Sequence, residues 1–200
     1  MRVVSYQHAV RLLQPVIEPI FAALQHGLDE AAAEHVRRRF ERATDPWYFL
    51  HSARRSAFQR LAADGLAETV DDGDRSLLNL SGLLVRHHGL TVRILRPDPG
   101  AGGRAQIPLP ATGALQAFYH QQPLPGLEGT DNLVLTWTDD LGVLTDPLTL
   151  ARPVGGDSRR ESLLLDWDGP LSRSMARLRA RDLDELQPDH HYGSLADQAG

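Results

Sequence analysis

The side chains able to do chemistry in this 200-residue chain are histidines, arginines, aspartates and serines, because it holds no cysteine and no lysine. Without cysteine, thiol catalysis, disulfides, iron–sulfur clusters and cysteine-ligated zinc are excluded. Without lysine, Schiff-base chemistry and a phosphate-loop lysine are excluded too. All 21 basic residues are arginine. The nine histidines include two adjacent pairs, His87-His88 and His190-His191. Neighbours on a strand point to opposite faces, so neither pair is expected to chelate one metal. His26 and His35 lack a helical i, i+4 relation. His120 follows Phe118-Tyr119 and could meet Asp131, yet a catalytic zinc takes three protein ligands. No metal and no cofactor is expected.

Two short motifs carry chemistry in other proteins. In LLLDWDGPLS, Leu163 to Ser172, the residues Asp166, Asp168 and Gly169 resemble the first motif of the haloacid dehalogenase phosphatases. That resemblance implies a nucleophilic aspartate with a magnesium site. The chain departs from it: Pro170 stands where threonine belongs, and only 32 residues follow Asp168. The later cation and acidic pair that hold phosphate and metal have no room, so a strand end with an acidic turn is the expectation. Gly156-Asp157-Ser158 resembles the nucleophile block of the GDS-type esterases, with Asp189 and His190 or His191 as conceivable partners. A triad needs its base held within hydrogen-bond reach of the nucleophile, and these partners fall in a stretch read as tail. Gly100, Gly102 and Gly103 lie in a Pro/Gly-rich loop without the strand-to-helix context of a phosphate loop. No catalytic residue is assigned.

Arg37-Arg38-Arg39, with Arg42, Arg54, Arg55 and Arg60, forms the basic cluster. Residues 1–60 carry nine arginines against six acids, and residues 61–200 carry twelve against twenty. Such a split suits a charged partner. Consecutive helices over 29–42 and 46–64 invite a helix-turn-helix reading. Against it stand the bulk of Trp47, Tyr48, Phe49 and Phe58 and a net charge of −5. A solvated face, or arginines clamping acids of the sheet region, is the nearer expectation for the cluster, and a protein partner is the expected use of the second helix. Tyr48, His51, Arg55 and Gln59 share one side of the second helix, with Arg38 and Arg42 of the preceding helix beside them. Tyrosine and arginine are the types that dominate binding hot spots.

These residues need elements to position them. Residues 5–13 have helical spacing, and Pro15 and Pro19 predict a break. Val16, Ile17, Ile20, Phe21 and Leu24 form a helical stripe that Gly27 ends. A helix from Asp29 to about Arg42 then turns Leu28, Ala32, Val36 and Phe40 inward. Thr44-Asp45-Pro46 is a strong helix start, and Trp47, Leu50, Ala53, Ala57, Phe58 and Leu61 form its buried stripe up to Asp64-Gly65. After the polar turn Asp71-Asp72-Gly73-Asp74, His88-Gly89 reads as a hairpin turn. It pairs His87 with Leu90, Val85 with Val92 and Leu83 with Ile94 on an apolar face. The other face holds Arg86 with Thr91 and Leu84 with Arg93. Thr112 caps a short helix, Gly113 to Gln121, between loops at 97–110 and 122–131. Strands follow at Leu133 to Thr138, Val143 to Ala151 (interrupted by Pro147) and Ser162 to Trp167, with turns at Asp139–Gly142 and Gly155–Ser158. Ser172 to Leu186 reads as a surface helix bringing Met175, Leu178, Leu183 and Leu186 to the core.

The order GLTVRILRP, ALQAFYHQQ, NLVLTWTDD and PLTLARPVGG resembles small actinobacterial cytoplasmic proteins over about residues 75–170. The resemblance implies an α+β layout and carries over no catalytic residue. The predicted fold is α+β, an N-terminal helical layer packed on a largely antiparallel sheet of about five strands. Residues 1–66 form the helical region and 75–187 the sheet region of one composite domain, with 188–200 a disordered tail. Met1 to Val10 lacks the apolar run of a secretory signal, and no stretch of about 18 apolar residues occurs. The expected function is a non-catalytic cytoplasmic interaction protein, an accessory or regulatory partner of another protein. The alternatives are a nucleic-acid-binding regulator using the arginine helices and a small hydrolase with an unrecognised acid–histidine site.

Overall fold

A computed structural model describes residues 3–42, 44–66, 83–97, 107–122, 131–160 and 162–191. The helical layer consists of α1 (Tyr6–Arg38) and α2 (Pro46–Ala63). The strands are β1 (Leu83–His87), β2 (Leu90–Leu95), β3 (Asp131–Thr136), β4 (Asp139–Asp140), β5 (Val143–Leu144), β6 (Leu148–Asp157), β7 (Ser162–Leu171) and β8 (His190–His191). The short helices are α3 (Gly113–Tyr119) and α4 (Ala180–Asp184). The main sheet runs β1-β2-β3-β6-β7-β8, and β4 and β5 make a separate small hairpin. Every neighbouring pair in the main sheet is antiparallel except β2 and β3. The fold is α+β, with five long strands and a two-residue sixth.

Pro15 and Pro19 do not break the first helix. It runs unbroken for 33 residues from the Ser5 cap, whose hydroxyl accepts the His8 N–H. An interior proline costs about 3 kcal/mol. Val10, Leu13, Val16, Ile17, Ile20, Phe21 and Leu24 are all buried in the core, each gaining about 1.5–3 kcal/mol. Burial along the whole stripe therefore outweighs both prolines. Gly27 does not end the helix either. It is the point where α1 touches α2: a Cβ there would lie 2.2 Å from the Ala53 carbonyl oxygen. The helix stops at Arg38 rather than Arg42, with Arg39 in the left-handed region at φ 58° and its N–H bonded to the His35 and Val36 carbonyls. The face turned inward before that stop is Leu28, Ala31 and His35, while Ala32, Val36 and Phe40 are exposed.

The start of α2 matches its sequence signal: Asp45 accepts the Tyr48 N–H and Pro46 occupies the first turn. Its buried row is Phe49, Ala53, Ala57 and Leu61. Trp47, expected in that row, is 75% exposed. Rows beginning at 47 and at 49 both fit helical spacing, and contact with α1 selects the second.

The β1–β2 hairpin has the expected register at all five pairs, with His88 at φ 47° and Gly89 at φ 77° in the turn. Two positive φ values match the right-handed twist of the strands. His88 is thus a turn residue, and its ring meets that of His87 at 4.2 Å instead of facing away. The back of the hairpin is not open to water. Helix α3 crosses there between the parallel strands β2 and β3, burying Leu115, Phe118 and Tyr119 with Leu84, Leu95, Val134 and Ala151. Thr91 is 0% exposed and Arg93 is buried as well. Burial pushes the Arg93 guanidinium down to about 10. Its guanidinium carbon stands 5.8 Å from the Phe118 ring centre.

Strand β6 continues through Gly155 and Gly156 to Asp157, so the turn falls at Ser158–Arg160. Residues 172–186 do not form one helix. A 3-10 segment at Arg173–Arg177 and α4 are separated by extended backbone at Leu178, whose carbonyl is taken by the Gln14 side-chain amide. Met175 and Leu183 are buried and Leu178 and Leu186 pack on the core, as the stripe predicts. Of the segment read as tail, His190 and His191 pair with Asp168 and Trp167 of β7. Residues 192–200, the turn at 71–74 and most of the loops at 97–110 and 122–131 lie outside the described residues.

Candidate functional site

The phosphatase-like motif is used as a seat for the start of α1. Asp166 faces the Arg152 guanidinium at 3.5 Å, and the same guanidinium holds Asp131 at 2.9 Å. The Trp167 indole N–H donates to the Val4 carbonyl. Its ring stands edge-on to Tyr6, with centroids 5.6 Å apart. Asp168 meets His190 at 3.2 Å. Gly169 lies under the Tyr6 ring, where a Cβ would come within 3.0 Å. The Tyr6 hydroxyl donates to the Pro170 carbonyl, and burial, with Asp189 nearby, raises its pKa to about 12. Each residue from 166 to 170 thus has a packing or hydrogen-bonding role.

The other chemical candidates are dispersed. Ser158 and His190 flank opposite ends of the 162–168 segment of β7, about 20 Å apart at strand rise. His120 does not share Asp131, whose carboxylate belongs to Arg152. It lines an open cleft of ≈ 540 Å³ with Gln116, Asp157, Arg160, Ser162 and Leu164. Sequence reasoning missed this grouping, since its members come from α3, β6 and β7. The Asp157 carboxylate accepts the Arg159 N–H at 2.8 Å and faces Arg160 at 3.7 Å. Among the described residues no hydrogen bond joins it to His120, and no group of three histidines or acids is placed to hold a metal ion.

The six residues singled out for partner binding fall into two sets. Arg38, Arg42 and Tyr48 belong to the corner between α1 and α2. Tyr48 is half-buried against His35 and Phe40, with centroids 5.5 Å apart in each case, and its hydroxyl donates to Glu34 at 3.4 Å. Arg38 lies over the Tyr48 ring and pairs with Glu34, as does Arg37. The hydrogen bond from Arg38 holds the Glu34 carboxyl below its ordinary range. Arg42 grips both oxygens of Asp139, at 2.8 and 2.6 Å, and stacks 4.1 Å from the centre of Phe49. The Asp139 carboxylate is fully buried and is also held by Arg96 and the Gly142 N–H. This corner ties the helices to the β4–β5 hairpin.

His51, Arg55 and Gln59 are different. They stand exposed on the outside of α2, four residues apart, in a row headed by Trp47. The Trp47 and His51 rings lie 6.4 Å apart, tilted by 30°. Phe40 and Val36 are exposed at the adjoining end of α1. Arg39 and Arg55 have no ion-pair partner among the described residues, whereas Arg60 pairs with Asp64. The row offers a large apolar ring, an imidazole, a guanidinium and an amide, a set suited to binding. No helix among the described residues is long and apolar enough to cross a membrane.

No protein-family model matches the chain, and no curated protein or solved structure is significantly similar to it.

Proposed function

We propose that this chain is a non-catalytic cytoplasmic interaction protein, an accessory or regulatory partner of another protein, and that it docks through the outer row of α2. The observation that carries this reading is Trp47 at 75% exposure, heading a row with His51, Arg55 and Gln59. An indole in water leaves a large apolar area uncovered, and covering it on a partner gains about 2–3 kcal/mol. Tryptophan and arginine are both among the residue types enriched at binding hot spots. The uncompensated charge of Arg39 and Arg55 favours a partner surface bearing carboxylates. A nucleic-acid role has less support, because Arg37, Arg38, Arg42 and Arg60 spend their charge on acids of this chain.

The double variant Trp47→Ala/Arg55→Ala tests the reading. Both side chains are exposed, so its melting temperature should stay close to the parent value. A photo-crosslinking residue at Gln59 should capture one partner in the native host, and the double variant should lose that product. Capture that survives the double substitution would remove the α2 row from the function.

A further inference from the structure

Toward its C-terminal end, helix α1 buries one side in the core and turns the other to water. Asp29, Ala33, Val36 and Arg37 share that outer face at helical spacing, with Glu30 beside them, and all five are exposed. The β4–β5 hairpin stands along the edge of this face. The Gln25 side-chain amide fixes it there, donating to the Gly142 carbonyl at 3.0 Å and accepting the Leu144 N–H at 2.8 Å. At the hairpin tip Leu141 is 94% exposed, with Val143 exposed beside it. Leu141 also lies in the left-handed region, at φ 49°, ahead of Gly142 at φ 94°. Asparagine or glycine suits that position of a two-residue turn, and leucine does not. Backbone strain and solvent exposure thus fall on the same apolar residue, which points to a surface that covers it. At the other end of the face Val36 is 79% exposed, and Phe40 is exposed as well.

We propose that this face pairs with the same face of a second copy of the chain, the two α1 helices lying antiparallel about a two-fold axis at Ala33. The face is self-complementary in that arrangement, as an isologous interface requires. Asp29 and Arg37 lie four residues to either side of the axis, so Arg37 of each copy comes beside Asp29 and Glu30 of the other. Among the described residues neither acid has an ion-pair partner, while Arg37 and Arg38 share the one carboxylate of Glu34. Parallel pairing would instead set Arg37 on Arg37, so charge complementarity selects the antiparallel register. The apolar residues agree with it. Gln25, which carries the hairpin, lies eight residues before the axis, and Phe40 lies seven after it. The Leu141–Val143 tip of each copy therefore comes over Val36 and Phe40 of the other. The small side chain of Ala33 lets the helices approach to an ordinary packing distance of about 8–10 Å. The contact uses none of Trp47, His51, Arg55 and Gln59, so it is separate from docking through the outer row of α2. One helix face and two hairpin tips make an interface at the low end for specific complexes, and the dimer is concentration-dependent.

Sedimentation equilibrium of the unsubstituted chain should show the mass rising from 22.1 kDa toward twice that value with concentration, and rising less at high salt. Arg37→Glu and the double variant Asp29→Arg/Glu30→Arg should each stay monomeric alone. Mixed, they should form a heterodimer, because opposite charges then meet at both ends of the contact. Leu141→Asn should keep its circular dichroism and weaken association at least about tenfold. The chain has no cysteine of its own, so Ala33→Cys reports on the axis. Under mild oxidation it should form a covalent dimer at least about tenfold faster than Gln59→Cys. An unsubstituted chain that remains monomeric up to sub-millimolar concentration overturns the proposal. So does a mixture of the two charge variants that stays monomeric, or Ala33→Cys crosslinking no faster than Gln59→Cys.

Discussion

On one face of the sheet Val85, Val92, Leu133 and Leu150 meet the long helix α1; on the other, Thr91, Arg93, Asn132 and Thr136 lie in the layer covered by the seven-residue α3. Both sets are buried. The first excludes water with apolar surface alone. The second buries polar groups and supplies bonds for some of them: Asn132 donates to the Phe118 carbonyl, and Gln121 bridges the Asn132 and Pro153 carbonyls. Alternation along a strand states which side chains share a face. It does not state whether that face is wet, because a helix from a distant part of the chain can cover a polar one.

The comparison is broken most severely by a carboxylate on the apolar face. Val92→Asp should cost several kcal/mol, since its cross-strand neighbours Val85 and Leu133 are apolar and cannot pair the charge. Thr91→Asp lies directly across from Arg86 and two residues from Arg93, and should cost only about 1–2 kcal/mol despite full burial. Equal losses of melting temperature would mean that the two faces do not differ as described.

A smaller effect sharpens the description of the α1 side. Replacing a mid-helix glycine with alanine ordinarily stabilises by about 0.5–1 kcal/mol. At Gly27 the added carbon meets the Ala53 backbone oxygen, so Gly27→Ala should instead destabilise by about 2–3 kcal/mol in urea titrations. A stabilised variant would show that the two helices do not cross so closely there.

The smallest effect concerns His87, the one polar member of the hairpin's apolar face. Burial, and then the neighbouring His88, hold its imidazole below the usual histidine range. The unfolded chain binds this proton as pH falls through about 6.5, and the folded chain only at lower pH. Stability from this source is present above about pH 6.5 and is lost as pH falls toward the folded value. His87→Gln should flatten that part of the stability–pH curve, and an unchanged curve would count against the burial.

Local signals carried the elements that local chemistry decides. The Asp45-Pro46 cap and the His88-Gly89 turn could be read because their causes lie within four residues. The unbroken α1, the exposure of Trp47 and the roofed back of the hairpin could not, because each depends on a surface supplied by another element. The candidate site divides in the same way. The spacing of His51, Arg55 and Gln59 set them together, but only the position of α1 shows Trp47 at their head and Tyr48 turned away to Glu34.

The seat formed by residues 166–170 has a consequence for the order in which the molecule can be completed during synthesis. The side-chain and backbone hydrogen bonds that tie residues 4–14 to distant parts of the chain run to partners made late: Val4 to Trp167, Tyr6 to Pro170, Gln7 to Leu186, Arg11 to Asp184 and Gln14 to Met175 and Leu178. Sequence separations here reach 179 residues. The α1–α2 hairpin can close early, because its contacts are near in sequence. Its apolar stripe then remains without its full cover until the ribosome has passed β7. At about 5–20 residues per second, the interval of roughly a hundred residues lasts about 5–20 seconds. Holdase chaperones should therefore bind the nascent chain through the Val10–Leu24 stripe and release it once the last fifth of the protein has emerged.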